Sequence, residues 1–536
     1  MAGIQAALLA HTAWDKSDTV DEPVYLTAAV SQWVSRDFVP NCESPALPKW
    51  GFALALRLVD AGVLEVKGPH PLWSRSTEEL RRNLFAARLA TVAVTTLGGL
   101  ALWLAARRFG ERASLLTHAL WCFSPSVLAA GSLATLDAWV ASLCALVLLA
   151  AVRFVEAPVP ARAAAVGLAL GFAAASKVTA LGLAPLLVLA GGFWLWLRAR
   201  AESRPWIGDA VRSGVALSLA SLLALWTIYA FSVGEIEVGA DIGPGRRLGP
   251  LPFPAWFQGL HEQWQHGRGG HLNYLFGEVG FTGWWWFYLA ALAFKTTLGA
   301  QGLVLLRLGG WLRRPPEHKR LLTDLLLFSW PALLLVVLSC GKTQNGIKYL
   351  LPAFPFFLAW AGRGIDDAAR AFPAWGARAV VVLFLLGASE TLSRHPHHLM
   401  FFNLWAGGPE GGPRYLIHGD DWGQDLRRLV EVQQKRRLIP LYYTRYTGEP
   451  TKWGLIYDRP TCTPRPGWYA LHAVEVHRPK RIAAGCLDWL TVEPPDARIG
   501  YSIYLYKVDK GRIQRLIAER GTKPPFWRSG PPGASP

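Results

Sequence analysis

Long apolar stretches alternate with short polar connections from the start of the chain to about residue 390. Most of them approach the roughly 20 residues that an α-helix needs to cross a bilayer. Residues 1–11 are apolar too but shorter, and we count them as a short first helix. The pattern therefore predicts a polytopic α-helical membrane protein with about eleven spans. The longer stretches are residues 83–106, 113–131, 134–153, 162–176, 179–197, 212–232, 284–306, 321–339, 349–362 and 377–389.

The pattern changes near residue 391, where the chain becomes polar and is punctuated by proline and glycine. Alternation of apolar and polar residues, bounded by turn residues, predicts β-strands at Leu438–Tyr443, Trp468–Val476 and Tyr501–Val508. We therefore divide the chain into a transmembrane domain, residues 1–390, and a small C-terminal α/β domain, residues 391–536.

The composition supports a membrane protein. Only 17% of the residues are charged, against about 25% in a typical soluble protein. The 26 tryptophans fit the aromatic belts found at membrane interfaces. A net charge of +17 would suggest a nucleic-acid partner in a soluble protein. Here the arginines lie between apolar stretches, so we expect the lipid bilayer as a partner and no nucleic acid.

Every second connection between the apolar stretches is basic, and basic connections usually lie in the cytoplasm. The opposite connections are then external, among them two large loops at residues 12–82 and 233–283, and the C-terminal domain is extracytoplasmic. We expect a multi-pass protein of a bacterial inner membrane. The basic connections carry Arg107, Arg108 and Arg112; Arg153 and Arg162; Arg198, Arg200 and Arg204; Arg307, Arg313, Arg314, Lys319 and Arg320; and Arg363, Arg370 and Arg378.

This orientation places carboxylates and amines at one membrane surface. Charged groups beside a bilayer are costly, which makes them candidates for function. A carboxylate there can take the proton of an acceptor hydroxyl or amine, and lysines can neutralise a phosphate leaving group. The pattern thus favours group transfer from a lipid phosphate. The residues concerned are Asp21, Glu22, Asp137, Lys177, Lys295, Lys348 and Tyr349.

Several motifs occur in a consistent order and agree with this topology. They are Asp21-Glu22-Pro23, Pro48-Lys49, Asp137, Gly171–Lys177, His271–Gly277 followed by Gly283-Trp284-Trp285, Lys348–Pro352, Phe402–Pro409 and Gly419–Asp425. Through these motifs nearly the whole chain resembles the GT-C glycosyltransferases of family 39 type. That group includes protein O-mannosyltransferases and the lipid A aminoarabinose transferase.

The resemblance implies inverting transfer of a sugar from a polyprenyl-phosphate donor to a lipid, glycan or protein acceptor, at the extracytoplasmic face. It implies that Asp21 is the general base, Glu22 its companion and Asp137 a second external acid. It also implies that Lys49 and Tyr349 contact the donor phosphate. The external face adds Lys177 and Lys348 as phosphate ligands. Further candidates for substrate binding are His271, Tyr274 and Lys295.

Other interpretations stay open at this point. A transporter or flippase for a lipid-linked sugar, or a non-catalytic membrane protein that binds glycan, would share many of these features. Asp21 and Asp137 are also suited to helix N-termini. The aspartates of the Gly419–Asp425 motif are read as turn and cap residues, although oxygen ligands for a divalent cation remain an alternative; no metal ligand or firm cofactor is assigned. Cys462 and Cys486 are open to disulfide pairing.

Overall fold

The computed structural model describes residues 1–60, 62, 76–238, 246–417, 419–444, 449–461, 463–477, 487–491 and 493–520. Helices predominate in these ranges, because long apolar stretches with few prolines satisfy their backbone groups internally as helices. The pairing considered for Cys462 and Cys486 lies outside the described residues.

The apolar stretches predicted from the sequence all fall on helices, several of them shorter than a full span. The helices of the first half of the chain are α1 (Ala2–Asp15), α2 (Glu22–Ser35), α3 (Ala46–Val59), α4 (Thr77–Ala106), α5 (Glu111–Cys122), α6 (Pro125–Gly131), α7 (Asp137–Glu156), α8 (Pro160–Ala174), α9 (Leu183–Ala201), α10 (Ile207–Ile228) and α11 (Pro254–Gly269). Two of them, α2 and α3, lie within the predicted external loop at residues 12–82.

The second half of the chain has shorter helices. They are α12 (Phe287–Lys295), α13 (Leu298–Arg313), α14 (His318–Ser339), α15 (Phe354–Gly362), α16 (Gly364–Ala371), α17 (Gly376–Leu392), α18 (Gly408–Gly411), α19 (Leu426–Arg436), α20 (Ala473–His477), α21 (Asp488–Thr491) and α22 (Lys510–Arg520). A 3-10 helix, Ile347–Ala353, leads into α15.

Among the described residues, five helical segments are long and apolar enough to cross a membrane, or up to seven if two bent pairs each count as one span. The predicted number of eleven spans is therefore not confirmed. The difference arises mainly because some predicted spans form helices that are too short or that bend midway. The five segments are Thr77–Phe109, Asp137–Glu156, Val178–Ala201, Ile207–Ile228 and His318–Ser339.

The two bent pairs break at residues with a local reason to end a helix. The predicted span 284–306 turns by 109° between α12 and α13, where Thr297 has extended dihedrals and caps the amide of Ala300. The predicted span 113–131 turns by 55° between α5 and α6, where Ser124 caps the following helix ahead of Pro125. The first bend leaves Lys295 at a helix end instead of mid-span.

The eight described strands form three sheets. Two antiparallel hairpins belong to the predicted loop 233–283, and a four-stranded sheet in the order β5-β6-β8-β7 belongs to the C-terminal part. In that sheet β5 pairs parallel to β6, and the other pairs are antiparallel. The strands are β1 (Val233–Val238), β2 (Arg246–Pro252), β3 (Asn273–Leu275), β4 (Glu278–Gly280), β5 (Leu441–Tyr443), β6 (Gly467–His472), β7 (Ala497–Ile499) and β8 (Ile503–Val508).

The C-terminal part packs directly on the N-terminal helices. One hydrophobic cluster contains Leu26 of α2, Phe52 of α3 and Leu84 of α4 together with Leu429 of α19 and Leu505 of β8. Burial of this shared apolar surface stabilises both parts at once. The boundary predicted at residue 390 marks a change of chain character, but the core continues across it.

Candidate active site

One cavity collects most of the charged residues that the sequence singled out. Its walls come from the N-terminus of α2, the loop before α7, the end of α12, the 3-10 helix Ile347–Ala353 and two C-terminal loops. The lining residues are Thr19, Asp21, Ser126, Ala129, Ala130, Leu133, Thr135, Asp137, Lys295, Ile347, Lys348, His398, Leu399, Phe401, Gly419, Asp420 and Trp422. Apolar walls with a few converging polar groups are typical of a small-molecule site.

Asp21 and Lys348 form the most open ion pair of the cavity. Asp21 directly precedes α2, which begins at Glu22 with Pro23 in its first turn. Its Oδ2 lies 3.5 Å from Nζ of Lys348, and about a third of the Asp21 side chain is exposed. Burial alone would lower the pKa of Lys348, but the carboxylates of Asp21 and Asp137 raise it above its usual value. Lys348 is thus a cation at neutral pH beside a reachable carboxylate.

Asp137 and Lys177 form a second pair against an aromatic ring. Asp137 is the first residue of α7, and Lys177 follows the C-terminus of α8. Nζ of Lys177 lies 2.5 Å from Oδ1 of Asp137 and 4.5 Å from the centre of the Tyr349 ring. Tyr349 follows Lys348 in sequence, so the second pair adjoins the first and adds a further ammonium group near it.

Lys295 and Asp420 form a third pair, which is deeply buried. Nζ of Lys295 lies 2.8 Å from Oδ1 of Asp420. Burial raises the pKa of Asp420 to about 6, although Lys295 acts in the opposite direction. The sequence suggested Lys295 as a substrate-binding residue and Asp420 only as a turn residue or cation ligand; the structure places both on the cavity wall.

Glu22 lies next to Asp21 in sequence but does not line the cavity. Its two carboxylate oxygens accept hydrogen bonds from Nε and Nη2 of Arg88 at 2.7 and 2.6 Å. They also accept from the backbone amides of Ala134 at 2.8 Å and Thr19 at 2.8 Å. Burial would raise the pKa of Glu22, but the Arg88 guanidinium holds it below its usual value. Glu22 therefore ties together the chain segments before Asp21 and Asp137.

Three further predicted residues lie away from the cavity. Nζ of Lys49 donates to the backbone oxygens of Asn41 at 2.7 Å and Pro40 at 3.4 Å, so its ammonium group stabilises a loop. The phenol of Tyr274 donates to the backbone oxygen of Arg414 at 2.6 Å. The ring of His271 contacts that of His266. The structure does not bring these three to the other candidates, and their substrate roles stay predictions.

The aspartates of the Gly419–Asp425 motif each have a different basic partner. Asp420 pairs with Lys295. Nδ1 of His472 lies 3.1 Å from Oδ1 of Asp421, and Nζ of Lys16 lies 2.6 Å from Oδ1 of Asp425. These carboxylates therefore do not gather into one set of cation ligands. Instead they fasten the motif to three separate elements, which holds its loop over the cavity.

Three cavity residues from this part of the chain were not predicted as active-site residues, although two of them lie in the Gly419–Asp425 motif: His398, Asp420 and Trp422. Trp422 presents its ring to Nζ of Lys348, 3.8 Å from the ring centre. The available signal was the density of polar and aromatic residues in the motif Gly419-Asp420-Asp421-Trp422-Gly423-Gln424-Asp425. The motif was not assigned to the active site because all the predicted site residues lay within the first 390 residues.

Residues 75–231 match the family model described as dolichyl-phosphate-mannose-protein mannosyltransferase. This match confirms the predicted resemblance to family 39 glycosyltransferases and the predicted class of enzyme, a glycosyltransferase of membranes. No curated protein matches the chain.

Two solved structures resemble the chain at low sequence identity. ArnT from Cupriavidus metallidurans bound to undecaprenyl phosphate has 17% identity and a TM-score of 0.46, with 93% of this chain and 96% of that chain covered. The oligosaccharyltransferase AglB from Archaeoglobus fulgidus, in complex with an inhibitory peptide and a dolichol-phosphate, has 11% identity and a TM-score of 0.41, with 91% and 70% covered. The assignment as a glycosyltransferase rests on the family match and not on these likenesses.

Proposed function

We propose that this multi-pass membrane glycosyltransferase moves a sugar from a polyprenyl-phosphate donor to a lipid, glycan or protein acceptor. The reaction takes place at the extracytoplasmic face of a bacterial inner membrane and inverts the anomeric carbon. The observation that carries the proposal is one cavity lined by a reachable carboxylate, Asp21, and by two lysine ammonium groups, Lys348 and Lys295, with Lys177 beside them.

Asp21 is the general base of the proposed reaction. The acceptor hydroxyl or amine attacks the anomeric carbon from the face opposite the phosphate, and Asp21 takes its proton as the new bond forms. The bond between the anomeric carbon and the phosphate oxygen breaks with its electron pair going to that oxygen. The products are the glycosylated acceptor and polyprenyl phosphate. Its partial exposure suits Asp21 to this role, because the acceptor must reach the carboxylate from outside.

Lys348 and Lys177 stabilise the departing phosphate. The leaving group gains one negative charge during transfer, and fixed cations in a site shielded from water stabilise such developing charge. Lys348 is braced by the Trp422 ring, and Lys177 by Asp137 and the Tyr349 ring. The matching family is named for a dolichyl-phosphate-linked mannose, which supports a lipid phosphate as the donor class.

Glu22 is a positioning residue in this scheme. Its ion pair with Arg88 and its bonds to Thr19 and Ala134 hold the segment that ends in Asp21 against the loop that leads to Asp137. Lys49 acts in the same way on the loop at residues 40–41. The side chain of Glu22 does not need to touch the substrate.

The test of the proposal is an Asp21→Asn variant assayed in isolated membranes. Radiolabelled undecaprenyl-phosphate mannose is supplied, and release of undecaprenyl phosphate is measured against membranes that lack the protein. We expect the variant to lose about 100- to 10,000-fold in turnover, the range of general-base catalysis. The matched control is Asp37→Asn, since Asp37 is an exposed carboxylate of the same predicted loop that only caps the amide of Val39. Wild-type turnover by Asp21→Asn would overturn the assignment of the base.

A further inference from the structure

We infer that Asp420 binds a hydroxyl group of the donor sugar and that the sugar this enzyme transfers is neutral. The inference rests on the proposed function and names the class of sugar for that same cavity. It follows from the hydrogen bonds that the polar groups of the cavity already make within the protein. It also depends on the one carboxylate oxygen of Asp420 that lacks a partner among the described residues, and on the charges around that oxygen.

The ammonium group of Lys295 uses two of its three N–H donors on protein oxygens. An ammonium group has three N–H donors. In Lys295 one points to Oδ1 of Asp420 at 2.8 Å, and one is donated to the backbone oxygen of Leu399 at 3.0 Å. The group also lies 4.0 Å from the centre of the Phe402 ring, whose face attracts a cation. Lys295 therefore orients Asp420.

Asp420 has one carboxylate oxygen without a partner. Oδ1 is held by Lys295, whereas Oδ2 has no hydrogen-bond partner within the part of the chain that the structure describes. The residue is only 2% exposed, and a buried carboxylate oxygen without a donor is costly. Because Asp420 lines the cavity, a donor group of a bound ligand is the natural partner for this oxygen.

The other two aspartates of the motif differ from Asp420 in their hydrogen bonds. Both oxygens of Asp421 have partners, Nδ1 of His472 on one and the backbone amide of Val474 on the other. Both oxygens of Asp425 have partners too, Lys16 on one and the hydroxyl of Ser502 on the other. Asp420 therefore differs from the two aspartates that fasten its loop, because one of its oxygens has no donor among the described residues.

His398 supplies a second group on the same wall. It lines the cavity and is 2% exposed. Burial lowers its pKa to about 3, so the imidazole is neutral at physiological pH. A neutral imidazole has one donor and one acceptor nitrogen, which suits a sugar hydroxyl that both donates and accepts.

The charge balance favours a neutral sugar. The negative charge of Asp420 is already compensated by Lys295, and Asp421 and Lys348 are the other charged groups that act on it. A sugar ammonium group would place a second cation against a carboxylate whose charge Lys295 already compensates, and a sugar carboxylate would face Asp420. Either uncompensated charge is expensive in a buried site. A hydroxyl group satisfies Oδ2 without adding charge.

The position of Asp420 matches the sugar and not the lipid tail. Trp422 lies two residues further along the loop and touches Lys348, which we assign to the phosphate. The sugar is bonded directly to that phosphate, so it is the part of the donor that reaches the neighbouring wall formed by Asp420 and His398.

The experiment measures binding to the purified full-length protein in lipid nanodiscs. The probes are undecaprenyl phosphate and its esters with mannose, glucose, arabinose and 4-amino-4-deoxyarabinose. We expect a neutral ester to bind tighter than the amino sugar ester, and single-deoxy versions of the best neutral ester to include one that binds about 10- to 100-fold more weakly, as for loss of a bond to a charged group.

The variant Asp420→Asn should bind the best neutral ester about 10- to 100-fold more weakly and bind bare undecaprenyl phosphate as the wild type does. Glu431→Gln is the matched control, because this glutamate is exposed on α19 and pairs only with Arg427 of the same helix. If the variant does not fold, the series of esters on the wild-type protein decides.

Two kinds of failure are distinguishable. If the wild-type protein binds neither undecaprenyl phosphate nor any ester, the proposed function is wrong and the inference with it. If bare undecaprenyl phosphate binds but the amino sugar ester binds tightest, no single-deoxy ester weakens, or Asp420→Asn keeps the wild-type preference, only the assignment of Asp420 is overturned.

Discussion

Two groups of buried charges in this protein are built from different cations. In the cavity each carboxylate meets one lysine: Asp21 meets Lys348, Asp137 meets Lys177 and Asp420 meets Lys295. The second group, which we call the arginine cluster, shares two carboxylates among four guanidinium groups. It consists of Asp324 and Asp367 with Arg307, Arg320, Arg363 and Arg370.

The difference separates a group suited to chemistry from one suited to structure. A guanidinium stays charged and presents a rigid fork of donors, whereas an ammonium group is a compact point charge on a flexible stem. In the arginine cluster Arg307 of α13 bonds Asp324 of α14 at 2.8 Å and Asp367 of α16 at 2.9 Å, so one side chain joins three helices. In the cavity the pairs are single and one of them is partly exposed.

The largest effect that this comparison predicts is on stability, from Arg307→Met. The change leaves Asp324 and Asp367 with fewer cations in a buried setting, and removal of one partner from a buried ion pair costs about 3–5 kcal/mol. We expect a clear fall in the unfolding temperature of the purified protein in detergent, with turnover per folded molecule unchanged.

The control for that change is Arg313→Met, since Arg313 is an exposed arginine of the same helix. If the Arg307→Met protein had wild-type thermal stability, or stayed folded but lost turnover, the assignment of the arginine cluster to structure and of the cavity to chemistry would be wrong.

The next effect is on activity, from Lys348→Met. Loss of one fixed donor to a developing oxyanion lowers the rate by about 100- to 1,000-fold. Because this side chain is partly exposed, we expect the unfolding temperature to change little. Release of undecaprenyl phosphate from the mannose ester is the measurement, and Lys342→Met, an exposed lysine of the preceding loop, is the control. A large loss of stability with unchanged turnover per folded molecule would place Lys348 with the structural charges.

The smallest effect is a pH dependence of sugar binding, which we expect from the carboxylate–lysine pairs of the cavity and not from the arginine cluster. Asp420 has a pKa of about 6, raised by burial against the effect of Lys295. Below this pH the carboxyl gains a proton and accepts a sugar hydroxyl less well. At pH 5 about one molecule in ten keeps the ionised form, so we expect the preference for the best neutral ester over bare undecaprenyl phosphate to fall about tenfold.

The same titration acts on stability in the opposite direction. The folded protein holds this proton more tightly than the unfolded chain, so the contribution is present below the unfolded pKa of about 3.9 and is lost as the pH rises through about 6. Asp420→Asn should abolish the pH dependence of sugar preference. A preference that stays constant between pH 7 and pH 5 would show that Asp420 does not bind the sugar.

The sequence predicted secondary structure well where the pattern was local. Each of the three strands predicted in the C-terminal part overlaps an observed strand, at Leu441–Tyr443, Gly467–His472 and Ile503–Val508. The end of the predicted strand Trp468–Val476 is instead the helix α20, Ala473–His477. The apolar stretches became helices, but the number of spans did not follow from them. A continuous apolar run such as 284–306 does not reveal that Thr297 starts a new helix at a steep angle.

The sequence predicted the candidate site in part. Asp21, Asp137, Lys295 and Lys348 were singled out and lie around one cavity. Asp420 was assigned only to a turn or a cation site because its partner Lys295 lies more than a hundred residues earlier in the chain. His398 was not singled out because its place on the cavity wall depends on the folded C-terminal loops. Such contacts depend on how the C-terminal loops pack on the membrane helices, and no spacing rule expresses that packing.

By itself, the sequence determined what depends on neighbours along the chain: the apolar helices, the alternating strands and the presence of acids and lysines next to membrane segments. The tertiary structure alone decided whether each charged side chain faces the cavity or is buried against a partner. Asp21 and Glu22 are adjacent, yet one faces the cavity and the other is buried against Arg88. The reason is that a charge is tuned by burial and by the partners within a few ångströms, and these are brought together only when the chain has folded.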